Sequence, residues 1–328
     1  MDNRRRLMIA LGAGALSGSL RSLAQQAKRI PRIGVLSGNR PSPMPPVIEA
    51  LRQGLRELGY VEGKNILIEY RWAYGNDDRY APLAAELVSR GVDVIVTQGT
   101  QAALAAKQAT STIPIIVGAA GDLVGGGLVA SLARPGGNVT GFTNMDPELG
   151  AKRLQLLKEA LPNISRVAVI YHGGPGGDQD ELSETQTAAK KLGVQIQPLH
   201  VLEPDQFHLA FASMTREHAQ ALIIFHGNFT VFNRKGLLEL AAKNRIPTMG
   251  GSPLWAEAGA LTSYGHDRLD QWRRAAIYVD KTLKGTKPAD MPVQQPTKFE
   301  LVINMRAAKA LGLTIPEEIM VRATRVIQ

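Results

Sequence analysis

Short, unbroken apolar runs that end in glycine or a small polar residue alternate along this chain with stretches of helical period. RIGVLSG (32–38), VDVIVTQGT (92–100), RVAVIYHGG (166–174) and AQALIIFHGN (219–228) are of the first kind. IEALRQGLRELG (48–59), PLAAELVSRG (82–91) and ETQTAAKKLG (184–193) are of the second, each closed by a glycine suited to a helix C-terminus. Strands apolar at every position are buried on both faces. Their alternation with helices predicts parallel sheets covered by helices on either side.

The pattern also repeats itself. RIGVLSG answers to RVAVIYHGG, and VDVIVTQGT to AQALIIFHGN. AAKQATSTIPIIVGAAGD (105–122) answers to AAKNRIPTMGGS (241–252), each running from a helix end through Ile-Pro into a strand. Three matches in the same order predict an α/β protein of two doubly wound Rossmann-like lobes. ARPGGNVTGFTN (133–144), ALTSYGHD (260–267) and PVQQP (292–296) are the expected crossings between them. The second would send RLDQWRRAAIYVDKTLKG (268–285) back to the first lobe as a helix. The expected division is residues 30–141 with 265–291 in lobe 1, and 142–264 with 292–328 in lobe 2.

The N-terminus breaks this rhythm. RRRLMIALGAGALSG (4–18) superficially resembles a dinucleotide-binding turn, but its third glycine falls one place late and no strand precedes it. Basic residues, a short apolar run and then small residues around Ala24 are instead the order of an export signal. Residues 1–24 are therefore expected to be cleaved, by the general or the twin-arginine route, with the mature protein in the periplasm.

Composition narrows the picture. The 328 residues contain no cysteine, which excludes disulfides, a thiol nucleophile, thiolate metal sites and a lipid-anchored N-terminal cysteine. The formal charge of +9 falls to +6 without residues 1–24, which carry four arginines and one aspartate. The remaining basic residues are scattered as doublets such as Lys190-Lys191 and Arg273-Arg274, so no nucleic-acid partner is expected. HGGPGGD (172–178) lacks the lysine and hydroxyl residue of a phosphate loop, and neither G-x-S-x-G nor H-E-x-x-H occurs. No catalytic residue, metal or cofactor is expected. A secreted α/β enzyme is the alternative, since the fold does not forbid catalysis. A sugar- or purine-sensing regulator of the same architecture would need a helix-turn-helix where the export signal stands.

In open α/β sheets ligands bind beyond the carboxyl ends of the strands. The candidate ligand residues are accordingly the loops there. In lobe 1 they are Ser37, Gly38, Thr97, Gln98, Gly99, Thr100, Ala120, Gly121 and Asp122. In lobe 2 they are Tyr171, His172, Gly173, Asn228, Phe229, Gly251 and Tyr264. Thr100 opens a helix whose first N–H groups suit a carboxylate. Asp122 is the candidate partner for an ammonium. Tyr171, His172, Phe229 and Tyr264 are candidates to stack on a flat solute.

Two long stretches, ATSTIPIIVGAAGDLVGGGLVASLARPGGNVTGFTN (109–144) and AGALTSYGHDRLDQWRRAAIYVDKTLKGTKPADMPVQQPTKFELVINMRAAKALGLTIP (258–316), resemble a family of substrate-binding proteins of ABC importers. The resemblance runs from residue 32 to 316. It implies the type I periplasmic binding fold, capture of a small-molecule solute by hinge closure, and a cognate ABC permease in the inner membrane as partner. A monomer suits that shuttling role. Some members bind tryptophan or tyrosine, so an amino acid or aromatic carboxylate is the expected cargo. The chain departs from the family pattern at Asp122-Leu123-Val124 and in FHGNFTVFNRKG (225–236), both near the expected cleft.

Overall fold

The computed structural model describes residues 29–144, 146–173 and 178–328; the expected leader, residues 1–24, lies outside the described residues. Twelve strands among the described residues form two sheets. The first contains β1 (Arg32–Ser37), β2 (Leu67–Trp72), β3 (Val94–Gln98), β4 (Ile115–Ala120) and β5 (Val139–Thr143), in the order β2-β1-β3-β4-β5. The second contains β6 (Arg166–Tyr171), β7 (Gln195–His200), β8 (Ala221–Ile224), β9 (Thr248–Gly250), β10 (Thr262–His266), β11 (Phe299–Asn304) and β12 (Arg325–Ile327). Its order is β12-β11-β10-β9-β8-β6-β7.

Strands β7-β6-β8-β9-β10 thus repeat the order β2-β1-β3-β4-β5, and all pairs within each set are parallel. The sequence pairs proposed as repeats fall on β1 and β6, β3 and β8, β4 and β9, which occupy equivalent places. One expectation needs correcting: the second sheet is not wholly parallel. β11 runs antiparallel to β10, and β12 pairs parallel with β11. β11 arrives from the other lobe rather than through a helix packed on its own sheet, so the right-handed crossover that enforces parallel pairing is absent.

Alternate residues of each central strand enter different cores. Ile33 and Val35 face a cluster with Trp272 and Ala276, whereas Leu36 faces one with Leu87 and Ala103. In the second sheet Val167 and Val169 join Leu154 and Leu157, while Ala168 and Ile170 join Phe211 and Leu237. Each fully buried Ile or Val side chain contributes roughly 1.5–3 kcal/mol, which is why these strands are apolar throughout.

The chain passes between the lobes three times. After β5 the helix Asp146–Ala160 packs on Asp178–Leu192 in the second lobe. After β10 the helix Arg268–Leu283 packs on Pro46–Glu57 in the first. Asp267 caps that returning helix, its carboxylate accepting from the Asp270 N–H at 3.0 Å. Trp272, Ala275, Ala276 and Val279 form its buried stripe. A Cβ on Gly54 would lie 2.2 Å from the Arg273 carbonyl oxygen, so glycine there is what allows the two helices to approach. The chain then runs beside β5, with Gln294 N–H donating to Gly141 O at 2.9 Å and Thr143 N–H to Gln294 O at 3.0 Å, before entering β11.

Candidate functional site

The carboxyl ends of β3, β4, β6, β8 and β10 converge on one cleft between the lobes, as the rule for open α/β sheets requires. It encloses about 710 Å3, its open mouth included. From the first lobe, Gly99 ends β3 with φ +81° and leads into the helix Thr100–Ala109, which no side chain caps. A Cβ on Gly99 would sit 2.6 Å from Asn228 Nδ2, so both its backbone angle and its neighbour demand glycine. The first N–H groups of an α-helix have no partner within the helix. At Thr100 and Gln101 that end lines the cleft beside Ala119, Ala120 and Gly121.

The second lobe supplies side chains. His172 stacks on Phe229 with centroids 4.1 Å apart. Its Nδ1 lies 2.9 Å from Val201 O, which leaves Nε2 toward Asp77 Oδ2 at 4.0 Å. Asp178, at the start of its helix, accepts from Gly173 N–H at 2.8 Å. Burial raises the carboxyl pKa of both Asp77 and Asp178 above the ordinary value; His172 opposes this at Asp77, and the Gly173 N–H opposes it at Asp178. Asn144, His226 and Arg268 also line the cleft, the last being the first residue of the returning helix. Arg268 Nη1 lies 2.5 Å from His226 Nε2, and Trp255 Nε1–H donates to His226 Nδ1 at 3.3 Å. Burial, then Arg268, pushes the pKa of His226 well down, so the ring is neutral.

The lobes touch around this space. Asn228 Nδ2 donates to Tyr80 OH at 2.9 Å and to Gln98 O at 3.1 Å, and the Arg40 guanidinium lies over the Phe232 ring at 4.9 Å. The molecule is in a closed arrangement.

Of the candidate residues, Gly99, Thr100, Ala120, Gly121, His172, Gly173, Asn228 and Phe229 line the cleft. The others serve it from behind or point away. Ser37 Oγ donates to Gln98 Oε1 at 2.6 Å, a buried bond that ties β1 to β3. Thr97 is fully buried within β3. Gly38 gives room to Tyr80 and Asn228, and Gly251 to His226 and Arg153. Asp122 stands outside the cleft lining; its Oδ1 accepts from Val124 N–H at 2.9 Å and closes a turn. Tyr171 stacks on His200 and Tyr264 on Phe299, so neither aromatic ring meets the cleft. Both sit in strands, where side chains leave perpendicular to the sheet rather than off its end. Asp77, Gln101, Asn144, Asp178 and Arg268 were missed. Arg268 had a signal, since it follows the second crossing as the first residue of a helix.

A family model for ABC transporter substrate binding proteins matches residues 42–327. The chain belongs to that family. A tyrosine-binding protein of Clostridioides difficile is 28% identical to this family member over 264 residues, 80% of this chain and 75% of the other. A conserved domain protein of Vibrio cholerae is 31% identical, with TM-score 0.84 over 91% of this chain and 100% of that one. The ABC domain of Streptococcus pneumoniae in complex with L-Trp is 27% identical, with TM-score 0.84 over 90% and 99%. The two lobes with three crossings are the type I periplasmic binding fold, and the family's members are substrate-binding proteins. Among the described residues of this member, no helix is long and apolar enough to cross a membrane.

Proposed function

We propose that this protein is the periplasmic receptor of an ABC importer. It captures a small carboxylate-bearing solute, an amino acid or an aromatic carboxylate, by closing its lobes, and presents it to an inner-membrane permease. The observation that carries this reading is the polarity of the cleft. Arg268 and the uncapped start of the Thr100–Ala109 helix, both in the lining, offer partners for an anion. Asp77 and Asp178, also in the lining, offer partners for an ammonium, and the stacked His172 and Phe229 add aromatic surface. The buried Oδ1 of Asp77 has no hydrogen-bond partner among the described residues, which suits a donor brought by the solute.

Closure sets the lobe built on β1–β5 and the helix Arg268–Leu283 against the lobe built on β6–β12. Because side chains of both lobes reach the cleft, full affinity arises only in the closed state. In this reading residues 1–24 direct export and are removed, no lipid anchors the chain, and the monomer is the working unit. The relatives' ligands, tyrosine and L-Trp, place aromatic amino acids first among the solutes to try.

A thermal-shift screen against amino acids, aromatic acids, sugars and purines tests the reading. A solute that binds only the folded state adds about 2.7 kcal/mol at a hundredfold excess over Kd. A rise in Tm with amino or aromatic acids and no turnover of the solute is the expected result. A rise with sugars or purines alone, or consumption of the ligand, overturns it.

A further inference from the structure

The imidazole of His172 is held from several sides, and the holding settles which of its nitrogens is free. Nδ1 faces the Val201 carbonyl at 2.9 Å, and a carbonyl only accepts, so a proton sits on Nδ1. A neutral ring then carries its lone pair on Nε2. The ring stacks on Phe229, and the His172 carbonyl accepts from His200 Nε2–H at 2.8 Å. Gly173 N–H, next along the chain, donates to Asp178 at 2.8 Å. All these partners belong to the second lobe, so the arrangement does not depend on closure. From the first lobe Asp77, which lines the same cleft, brings Oδ2 to 4.0 Å from Nε2. That is too long for a hydrogen bond. Two acceptors thus face each other with no donor between them, and Asp77 Oδ1 is buried without a partner among the described residues.

We propose that His172 Nε2 and the Asp77 carboxylate together seat the primary ammonium of an α-amino acid, which bridges the two lobes. A charge-assisted bond to an ammonium runs about 2.7–2.9 Å. A nitrogen at that distance from both acceptors sees them at close to a right angle, near the tetrahedral spread of its N–H groups. Its charge offsets the Asp77 carboxylate, and its N–H groups turn two opposed lone pairs into two hydrogen bonds. Because one acceptor lies on each lobe, the bridge forms only on closure, and the ammonium is the part of the solute that fastens the lobes. His172 is then a specificity residue rather than only aromatic surface. It directly follows β6, and the equivalent place after β1 is Gly38, which has no side chain to offer. The proposal rests on the carboxylate reading above and narrows it: the cargo is an amino acid, and an aromatic carboxylate without an ammonium is a poor substitute.

Two measurements decide it. Long-range 1H–15N spectra of the ligand-free wild type at neutral pH, with the His172 signals assigned by their loss in His172→Phe, report the ring directly. The expected spectrum has a protonated Nδ1 and a bare Nε2. A proton on Nε2, in the other tautomer or in the imidazolium, removes the acceptor and overturns the proposal, whatever the variants do to stability. The second measurement compares the affinities of L-tryptophan and L-tyrosine with those of their deamino counterparts, indole-3-propionate and 3-(4-hydroxyphenyl)propionate. The wild type is expected to bind at least one amino acid about tenfold or more tighter than its deamino acid. His172→Phe, which keeps a ring to stack on Phe229, and Asp77→Asn are each expected to weaken that amino acid about tenfold and its deamino acid much less. Equal affinity for the amino and deamino acids in the wild type, or a preference undiminished in both variants, refutes the bridge and leaves the carboxylate reading standing. If the wild type binds none of the four acids, the carboxylate reading itself fails, and the bridge with it.

Discussion

The two lobes share one strand order and hold opposite chemistry. At the strand ends of the first lobe the buried polar groups are neutral: Ser37 and Asn39 both donate to Gln98 Oε1, at 2.6 and 2.7 Å, and what reaches the cleft is mostly backbone. In the second lobe Arg153 and Glu181 form a fully buried ion pair, with Arg153 Nε–H also donating to Tyr264 O at 2.9 Å. All six histidines follow residue 171. His266, fully buried, finds no partner for either ring nitrogen among the described residues. A duplicated scaffold has thus kept its backbone plan while the groups it presents diverged: the second lobe brings His172, Asp178, His226 and Phe229 to the cleft, and the first a helix terminus, Asp77 and, on the returning helix, Arg268. The lesson is that topology fixes where a ligand sits, and the side chains each lobe adds fix which ligand it is.

The largest effect expected from this asymmetry is on stability. Glu181→Leu removes the carboxylate paired with the buried Arg153 and is expected to cost about 3–5 kcal/mol in urea unfolding. Gln98→Leu, the neutral counterpart in lobe 1, strands two polar partners and should cost about 1–3 kcal/mol. Equal losses would dissolve the contrast between the lobes.

Acid should find the same lobe. Burial, then Arg268, holds His226 and His266 well below the usual histidine range, so both stay neutral in the folded state. The unfolded chain takes up protons at these positions as pH falls through about 6.5 and the folded chain does not. Stability is therefore present above that pH and lost below it, at up to about 1.4 kcal/mol per pH unit for each ring. Unfolding midpoints between pH 7.5 and 5.5 check this, with His266→Gln expected to remove about half of the slope. A flat profile in the wild type contradicts the assignment of two buried neutral rings.

The smallest effect concerns the contact between the lobes. Asn228→Ala removes the donor to Tyr80 OH and Gln98 O. At about 0.5 kcal/mol for each of these two hydrogen bonds, the low end of their usual range, the closed-to-open ratio of the ligand-free protein should fall about fivefold. Fluorescence transfer between dyes on the two lobes reads that fraction, and an unchanged distribution would mean that Asn228 does not clasp them.

Much of the fold was legible because its cause is periodic. Apolar runs such as VIVTQ and ALII are buried on both faces, and their glycine-ended turns mark the ligand-facing edge. The reversed β11 was not legible: FELVIN reads as a buried strand in either direction, and only its arrival from the other lobe sets its sense. The site was legible where backbone builds it, as at Gly99-Thr100 and Ala120-Gly121. It was obscured where side chains decide. Tyr171 and Tyr264 are aromatic residues at strand ends, yet the pleat turns both rings toward neighbours within their own sheet. Asp77, Asp178 and Arg268 come from turns and helix starts that approach the cleft only once both lobes are assembled.

The central claim is that the cleft selects a carboxylate. It is tested most directly by calorimetric titration of each solute that raises the melting temperature, alongside its neutral carboxamide, into the wild type and Arg268→Gln. The account predicts that the acid binds the wild type at least tenfold more tightly than the amide, and that Arg268→Gln removes most of that preference. Equal affinity for acid and amide in the wild type, or a preference untouched in Arg268→Gln, would contradict it.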